Sequence, residues 1–520
     1  MVEWNETFDV VVVGFGFTGA AAAVAAHDAG ARVLLLEKMV HPGGISICSA
    51  GGVRIADDAT AAFRYLKETN ADTAPDDCLR ALARGMTEVE GFIRQLASVN
   101  GAEVAVARVA ANYPFEGGDT FGFVTIKSIP GYDPEAGFTW GKGLRGGTRL
   151  FKVMTDNVAA RAIDVRLETP ARRLIAEDGR VRGVALRGAN EARRIRARGG
   201  VVLACGGFEA EPEMQRQYWQ EKPVLPAAFA GNTGDGIRMA QAVGADLWHM
   251  WHYHGTYGLR HPDAEVYPYG IRLHRLPDWV PEGDGRKAEA HAFFAGDADR
   301  TMPWIVVDQT ARRYMNEYPP YVQDTGHRMM EPFDPVTQRY LRIPSWLIVD
   351  AAGCARGPLG SPTYNDPARR LRWSDDNAAE IATGILERAD TVAEMAAAMN
   401  AEEGVLADTL ARWNGFCRDG MDQDFGRNAD TMMPIETPPF TFGRVWPVCA
   451  NTQGGPRHDS RQRVLGPFSD VIDGLYVAGE LGSVFGHLYI AGGNLAECFI
   501  GGRMAGEEAA RRSGAAAVQG

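Results

Sequence analysis

The feature that most constrains this chain is residues 8–19, FDVVVVGFGFTG, in which a run of valines leads directly into a glycine turn. The valines at residues 10–13 are β-branched and apolar, which is typical of a central strand buried on both faces. Gly14, Gly16 and Gly19 follow with the spacing G-x-G-x-x-G. In this pattern the first glycine permits a tight turn, the second lets a pyrophosphate approach the backbone, and the third lets the next helix pack on the strand.

The segments after this glycine turn (residues 14–19) continue the same pattern. Residues 20–27 are rich in alanine and predict a helix, and residues 31–36 predict a second apolar strand that ends at Glu37. A helix N-terminus favours phosphate, and an acid at the end of the second strand can bind a ribose hydroxyl. A lone G-x-G-x-x-G is a weak signal, but strand, glycines, helix, strand and acid in register predict a dinucleotide-binding domain.

Length and composition exclude several classes of protein. A chain of 520 residues predicts two or three domains, and its net charge of −12 argues against binding to nucleic acid or anionic membranes. No apolar run approaches the ~20 residues of a membrane span. The first eight residues lack the basic and apolar regions of a signal peptide. The seven cysteines include no C-x-x-C pair, which disfavours zinc, iron–sulfur and dithiol sites and favours a reducing cytoplasmic location.

Four further stretches carry glycines where a ligand could bind. Residues 38–56 form a loop rich in glycine and serine, whose backbone N–H groups suit phosphates or a flavin ring. Residues 200–207, GVVLACGG, predict a buried strand whose carboxyl end would face a ligand. Asp235 precedes a predicted helix over residues 237–243. Its side chain could contact the cofactor, or it could serve only to start the helix. Residues 112–147 combine glycines with aromatic side chains, which suits the wall of a substrate cleft.

Three histidines lie close together in LWHMWHYHGTY, residues 247–257. His249, His252 and His254 could suggest a metal site, but no carboxylate or cysteine stands at ligand spacing. Aromatic packing near the cofactor explains this stretch better, and no metal is predicted.

The C-terminal part carries a second signature. Residues 473–480, DGLYVAGE, predict a turn, a short strand and an acid. Gly492, Gly493 and Asn494 then precede a predicted helix over residues 495–511, whose N-terminus can stabilise negative charge on a ring carbonyl. The two ends of the chain therefore predict one domain, and the middle predicts an inserted second domain.

Several blocks occur in a fixed order along the chain, namely DVVVVGFGFTG, GGISICSAGG, VVLACGGF, TGDGIRMA, RRYMNE, and DGLYVAGELGS followed by GGNLAECFIGGRMAG. Together they resemble the FAD-dependent flavoproteins related to fumarate reductase, which include succinate dehydrogenase flavoprotein subunits, urocanate-type reductases and 3-ketosteroid dehydrogenases. The resemblance implies an α/β fold, with a Rossmann-like FAD-binding domain of the glutathione-reductase type over residues 7–250 and 441–512. It also implies an inserted α+β catalytic or cap domain over residues 251–440, and residues 513–520 are expected to form a flexible tail.

The resemblance also implies FAD as the cofactor, and we expect it to be bound non-covalently. His41 lies in the region where succinate dehydrogenases link their flavin, but the usual sequence context is absent. The candidate FAD contacts are Gly14, Gly16, Phe17, Thr18, Gly19, Glu37, Lys38, Gly43, Gly44, Ser46, Ser49, Gly51, Gly52, Ala171, Cys205, Gly206, Gly207, Asp235, Gly479, Glu480, Asn494 and Leu495.

The positions that hold a dicarboxylate in fumarate reductases have different residues here. The arginine of their closing motif corresponds to Ile490, and the histidine of their H-T-M-G-G motif corresponds to Asn451. The arginine that follows their N-E pair has no match after Glu317. Because a buried carboxylate without a cationic partner is strongly disfavoured, these differences predict against a dicarboxylate substrate.

The motifs of the 3-ketosteroid dehydrogenases match this chain better than those of the fumarate reductases. The R-R-F-x-N-E and P-Y-V motifs of the dehydrogenases are matched by residues 312–317 and 320–322. The resemblance implies that Tyr321 transfers the proton, that Tyr489 and the Gly493 N–H bind the substrate carbonyl, and that Tyr113 assists.

These observations predict an FAD-dependent enzyme that dehydrogenates, or in reverse reduces, a C–C bond next to a carbonyl in a small, mainly apolar substrate. The external electron acceptor or donor is not specified by the sequence. One alternative is a reductase of an unsaturated acid that uses other arginines, such as Arg145, Arg149 or Arg457. Another is an electron-transfer flavoprotein subunit that docks to an iron–sulfur partner.

Overall fold

A computed structural model describes residues 2–144, 146–186, 193–274 and 301–514. The chain divides into two compact units. Unit 1 comprises Met1–Met214, Phe229–His252 and Asn451–Gly520, and unit 2 comprises Gln215–Ala228 and Tyr253–Ala450. From residue 515 onward the predicted flexible tail lies outside the described residues.

The strands are, in chain order, β1 (Glu6–Val13), β2 (Val33–Leu36), β3 (Val53–Ala56), β4 (Glu103–Arg108), β5 (Phe121–Ser128), β6 (Gly141–Lys142), β7 (Asp164–Arg166), β8 (Ala171–Glu177), β9 (Arg180–Leu186), β10 (Arg193–Leu203), β11 (Leu225–Pro226), β12 (Leu247–Trp248), β13 (Tyr253–Arg260), β14 (Gly270–Leu273), β15 (Trp304–Val307), β16 (Ser345–Val349), β17 (Gly360–Ser361), β18 (Tyr364–Asn365), β19 (Glu387–Ala389), β20 (Phe440–Thr452), β21 (Gly455–Pro456), β22 (Arg463–Leu465) and β23 (Val471–Val477).

The α-helices are α1 (Phe17–Asp28), α2 (Ala59–Asn70), α3 (Asp76–Ala97), α4 (Pro134–Gly137), α5 (Gly147–Ala160), α6 (Pro212–Tyr218), α7 (Asp235–Gln241), α8 (Val322–Thr325), α9 (Ala351–Cys354), α10 (Ala378–Ala382), α11 (Val392–Met399), α12 (Glu403–Asp419) and α13 (Gly493–Ser513). Short 3₁₀ turns occur at Ser46–Cys48, Gly118–Thr120, Arg328–Met330 and Ala429–Thr431. Among the described helices, none combines the length and the apolarity that crossing a membrane requires.

Unit 1 is built on a mainly parallel sheet in which β1 lies at the centre. Strands β23, β10, β1, β2 and β7 are neighbours in that order, and each neighbouring pair is parallel. The valines at residues 10–13 are almost fully buried, as their unbroken apolar run predicts for a strand covered on both faces. The hairpin of β8 and β9 adds an antiparallel edge.

Helices α1 and α13 pack against each other through small residues. A Cβ atom at Gly502 would lie 2.7 Å from the Thr18 carbonyl oxygen, and one at Gly506 would lie 2.2 Å from the Ala22 carbonyl oxygen. The two ends of the chain therefore meet in unit 1, which agrees with the predicted pairing of the terminal segments. A separate antiparallel sheet of β3, β5 and β4 also belongs to unit 1.

Unit 2 is built on a mainly antiparallel sheet with the order β15, β16, β20, β13, β14 and β17. Alternate residues of β15 enter two different cores. Trp304 and Val306 pack with one cluster, and Ile305 and Val307 pack with another. The sheet is therefore buried on both faces, which explains why β15 is continuously apolar.

The predicted α/β flavoprotein fold is confirmed, and so are most predicted elements around the glycine turn. Residues 373–412 are mostly helical, since they hold α10, α11 and the first part of α12. Between α10 and α11, however, Glu387–Ala389 forms strand β19, which pairs with β20. The ladder of hydrogen bonds that β20 offers there outweighs the local helix preference.

Candidate active site

The glycine turn lies between β1 and α1 and is shaped by close backbone contacts. Gly14 has φ +105°, in the left-handed region that favours glycine. A Cβ atom at Gly19 would lie only 1.8 Å from the Gly14 carbonyl oxygen. Gly16 is the N-cap of α1, whose first two residues are the buried Phe17 and Thr18. The turn therefore aims the N-terminus of α1 at any group bound beside Gly16.

Glu37 closes the first half of this site at the end of β2. Its carboxylate accepts hydrogen bonds from the N–H groups of Phe15 and Met39, both at 2.9 Å. The residue is buried, and that burial raises the pKa of its carboxyl, while the two N–H donors oppose the shift. Glu37 is thus fixed beside the glycine turn, where a ribose acid is expected.

The loop after Glu37 folds back onto the start of α1. The Ser46 hydroxyl accepts the Phe17 N–H at 3.2 Å, and the Gly43 N–H donates to the Phe15 carbonyl at 2.8 Å. Gly44 follows with φ +48°. This part of the predicted glycine-serine loop therefore lies against the glycine turn.

The later part of the loop, Ser49, Gly51 and Gly52, leads into β3. The Ser49 hydroxyl accepts the Gly51 N–H at 3.3 Å. A Cβ atom at Gly51 would lie 2.4 Å from the Gly146 backbone, and one at Gly52 would lie 3.1 Å from the Phe123 ring. Close packing against the chain itself accounts for these two glycines.

Lys38 links the second strand to the helix that begins at Asp235. Its ammonium group lies 2.6 Å from the Asp235 carboxylate and 2.8 Å from the Thr233 hydroxyl. Cys205 follows β10, and a Cβ atom at Gly236 would lie 2.6 Å from its sulfur. Burial raises the pKa of Cys205 to about 12, so its thiol stays protonated. Ala171, the first residue of β8, is buried.

The C-terminal signature reaches the glycine turn through Gly479. A Cβ atom at that position would lie 2.1 Å from the Thr18 hydroxyl oxygen. The next residue, Glu480, accepts the Thr452 N–H at 2.9 Å. A Cβ atom at Gly207 would lie 1.7 Å from the Thr452 hydroxyl and 2.7 Å from Glu480, so the glycine after β10 makes room for this pair.

A second buried carboxyl group, Glu209, lies close to Glu480. The Asn232 side-chain amide is 2.7 Å from Glu209 and 3.2 Å from Glu480. A Cβ atom at Gly206 would collide with the same amide. Burial raises the pKa of Glu480 to about 7, and burial followed by the charge of Glu480 raises that of Glu209. Sequence reasoning missed Glu209 and Asn232, because only the fold brings them to the end of β10.

Residues 483–494, which we call the closing loop, carry the predicted carbonyl-binding pair. The Tyr489 hydroxyl accepts the Asn494 N–H at 3.2 Å. The Gly493 N–H donates to the Ile490 carbonyl at 2.8 Å, so a substrate carbonyl there would have to replace that oxygen. Gly493 and Asn494 are buried and Leu495 is half-buried in the first turn of α13.

Three side chains from two other segments hold the closing loop. His249 Nε2 lies 2.6 Å from the Ser483 carbonyl, and His252 Nδ1 lies 2.7 Å from the Phe485 carbonyl. Arg54 Nε donates to the Ala491 carbonyl at 2.6 Å. These two histidines therefore bind backbone oxygens, as structural residues do. Arg54 was not predicted, since nothing in the sequence places β3 beside the closing loop.

Tyr113 is tied to the closing loop through the preceding residue, Asn112. The Tyr113 N–H donates to the Tyr65 hydroxyl at 3.0 Å, and the Asn112 side-chain oxygen accepts the Ala491 N–H at 2.9 Å. Tyr113 is buried, and its chain segment contacts the closing loop two residues from Tyr489.

Tyr321 belongs to unit 2, at the start of α8, in a buried polar group. Its ring lies 5.7 Å from that of His254, which stacks on it. His254 Nδ1 is 3.5 Å from the fully buried Asp324 carboxylate. Arg272 on β14 donates to the Gln323 side chain. His254 and Arg272 were not identified from the sequence as neighbours of the segment around Tyr321, because they lie on two other strands, β13 and β14.

The charge of Arg272 affects the pKa of His254 within this group. Burial lowers the pKa of His254, Asp324 opposes that shift, and the guanidinium of Arg272 lowers the pKa further. His254 is therefore neutral at neutral pH, and Arg272 supplies the positive charge of the group.

Two arginines near the matched motifs are engaged in ion pairs. Arg313 of the R-R-Y-M-N-E motif is buried against Glu317 at 2.7 Å and Asp422 at 3.0 Å. Arg457 is 3.2 Å from Asp246. Arg149 is half-buried. Arg145 lies outside the described residues.

Unit 1 fits an FAD molecule by the chemistry of its donor and acceptor groups. The N-terminus of α1 offers N–H groups for the pyrophosphate, beside Gly16, which has no side chain of its own. The buried carboxyls of Glu37 and Glu480 can accept hydrogen bonds from sugar and ribityl hydroxyls. The residues that would hold FAD are therefore the glycine turn, Glu37, the loop around Ser46, and Glu480.

Comparison with known proteins supports this assignment. Residues 9–495 match the family model FAD_binding_2, whose description is FAD binding domain. The chain is 28% identical to a 3-oxosteroid 1-dehydrogenase of Mycobacterium tuberculosis, over 98% of this chain and 99% of that protein. It is 26% identical to a fumarate reductase (cytochrome) of Shewanella frigidimarina, over 98% of this chain and 78% of that protein.

One solved structure has a similar fold over the whole chain. It is a 3-ketosteroid delta1-dehydrogenase of Sterolibacterium denitrificans in complex with 1,4-androstadiene-3,17-dione. The TM-score is 0.80 at 22% identity, and the match covers 98% of this chain and 100% of the other.

Proposed function

Because the chain belongs to the FAD_binding_2 family and is an FAD-dependent oxidoreductase acting on carbon–carbon bonds, we propose that it dehydrogenates the bond next to a ring ketone in a steroid-like substrate. The observation that carries this proposal is the buried group of Tyr321, His254, Asp324 and Arg272 in unit 2. It offers a proton acceptor beside a positive charge, and that is what removal of a proton next to a carbonyl requires.

Within unit 1, the residue suited to polarise a carbonyl is Tyr489. A hydrogen bond from the Tyr489 hydroxyl to the ketone oxygen withdraws electron density and so acidifies the neighbouring C–H. The Asn494 N–H, which donates to the same hydroxyl, strengthens Tyr489 as a donor. The Gly493 N–H supplies a second donor when the ketone oxygen takes the place of the Ile490 carbonyl.

Within unit 2, the residue suited to act as the base is Tyr321. A tyrosine in water has a pKa of about 10, so a tyrosine base needs a nearby positive charge to act near neutral pH. Arg272 provides that charge through its contact with Gln323, two residues from Tyr321. His254 stacks on Tyr321 and fixes the orientation of its ring.

Each atom of the reaction is accounted for. The proton from the carbon next to the ketone passes to Tyr321, and the two carbons gain a double bond when the next carbon loses a hydride. When bound, FAD would serve as the acceptor of that hydride.

The positions that distinguish fumarate reductases support an uncharged substrate. Ile490 is fully buried and apolar, and the Asn451 amide donates to Asn494 at 3.0 Å. Neither side chain can neutralise a carboxylate.

An anaerobic flavin assay tests the proposal. The FAD-loaded protein is mixed with 4-androstene-3,17-dione, and we expect flavin absorbance to bleach while the steroid loses two hydrogen atoms by mass. Fumarate serves as the comparison substrate for the reduced enzyme. Turnover of fumarate without any bleaching by ring ketones would contradict the proposal and favour the unsaturated-acid reductase.

A further inference from the structure

A buried cluster in unit 2 has the composition of a metal site. Glu221, His327 and Glu331 each offer one ligand atom, and these atoms all lie within 4.8 Å of one another. Glu221 follows α6, whereas His327 and Glu331 follow α8 and stand one helical turn apart. The cluster therefore joins two segments that are distant in sequence.

The imidazole of the cluster lacks ordinary hydrogen-bond partners. His327 is 2% exposed, and among the described residues neither of its ring nitrogens has a hydrogen bond of standard geometry. The Tyr253 ring stacks on His327, with the two ring centroids 4.0 Å apart. A buried imidazole left without hydrogen bonds is costly, and an ion between the three ligands would satisfy it.

The charges of the cluster also favour a bound cation. His327 Nδ1 lies 3.0 Å from Glu331, and the Glu331 side chain is 39% exposed, which leaves a path to solvent. Two carboxylates that meet beside a buried imidazole repel each other unless a cation lies between them.

We propose that Glu221, His327 and Glu331 bind one divalent cation of the class that accepts both imidazole nitrogen and carboxylate oxygen, such as Zn²⁺. Three protein ligands leave a fourth position for water, as in open zinc sites. A tetrahedral ion with bonds of about 2.1 Å holds its ligand atoms about 3.4 Å apart, so small side-chain rotations suffice. The bound ion would fasten the segment before β11 to residues 321–331, which we call the tyrosine segment.

Metal analysis of the FAD-loaded full chain tests this site. The protein is stripped with a chelator, desalted, given Zn²⁺ alone, and desalted again before elemental analysis. We expect about one zinc per chain and a rise in the thermal midpoint of several degrees. His327→Gln and Glu331→Gln should each weaken zinc binding by about 100-fold or more, because each removes a direct ligand.

The control is His27→Gln, which removes an exposed histidine paired only with Asp28 and should leave zinc binding unchanged. If a variant fails to fold, Co²⁺ added to the unchanged protein gives an independent result, since a tetrahedral site produces intense visible absorption. No retained zinc and no Co²⁺ band would overturn the proposal, and would favour an imidazolium shared by two carboxylates. Equal zinc binding by both ligand variants would also overturn it.

Discussion

The glycine turn of unit 1 and the tyrosine segment of unit 2 are built in opposite ways. The glycine turn is defined by backbone, because Gly14, Gly16 and Gly19 act through the absence of a side chain. The tyrosine segment is defined by side chains, because Tyr321 depends on His254 and Arg272 from other strands. A site made of local backbone is visible in the sequence, whereas one made of distant side chains becomes visible only in the fold.

The largest effect is expected where the backbone leaves no space. In Gly19→Ala the new methyl group would collide with the Gly14 carbonyl, so the turn must move and α1 can no longer present its N-terminus to a pyrophosphate. We expect the purified protein to lack FAD, measured as the ratio of flavin to protein absorbance. The matched control is Gly91→Ala, since no atom of the described residues lies within 4 Å of a Cβ at that helical position. Full FAD occupancy in Gly19→Ala would show that the turn tolerates side chains.

The next effect isolates the chemistry of the tyrosine segment. Tyr321→Phe removes only the hydroxyl, so FAD should remain bound while kcat for ring-ketone dehydrogenation falls by about 10² to 10⁴. Tyr314→Phe is the control in the same unit, because the Tyr314 hydroxyl bonds the Ser345 hydroxyl at 2.8 Å. That variant should lose about 1 kcal/mol of stability with kcat unchanged. An active Tyr321→Phe enzyme would mean that another group takes the proton.

The two regions also differ in how far the sequence could describe them. The turn, Glu37 and the strands around them follow from apolar runs and glycine spacing, which are local. Tyr321 could be named only through its resemblance to a family, and His254 entered the sequence argument as a candidate for packing. Its place beside Tyr321 depends on β13 and α8 coming together in unit 2. Arg54 and Glu209 were missed for the same reason.

A smaller effect is expected from the charge beside the base. Arg272→Met keeps an unbranched side chain but removes the guanidinium and its positive charge, so the proton-accepting form of Tyr321 loses stabilisation. We expect a roughly tenfold lower rate at neutral pH and a rate–pH profile moved by about one unit toward higher pH. Arg272→Lys should restore most of the original profile. If Arg272→Met lowers the rate equally at every pH, Arg272 acts only by holding Gln323.

The smallest effect concerns a side chain that supports unit 1. Burial lowers the pKa of His249 to about 4, and its Nε2 donates to the Ser483 carbonyl of the closing loop. A histidine with an ordinary pKa of about 6.5 takes up its proton in the unfolded chain first. The stability that His249 contributes is therefore present above pH 6.5 and is lost as the pH falls toward 4, by about 2 to 3 kcal/mol.

Replacing His249 with glutamine should flatten this pH dependence, because the amide can still donate to Ser483 but does not titrate. Urea midpoints at several values between pH 4.5 and 7, followed by the fluorescence of released FAD, report the unfolding of unit 1. The exposed His27→Gln variant should keep the slope of the parent protein. If His249→Gln keeps that slope as well, the closing loop is held by its backbone, as the glycine turn is. In that case the contrast between sites built from backbone and sites built from side chains does not apply within unit 1.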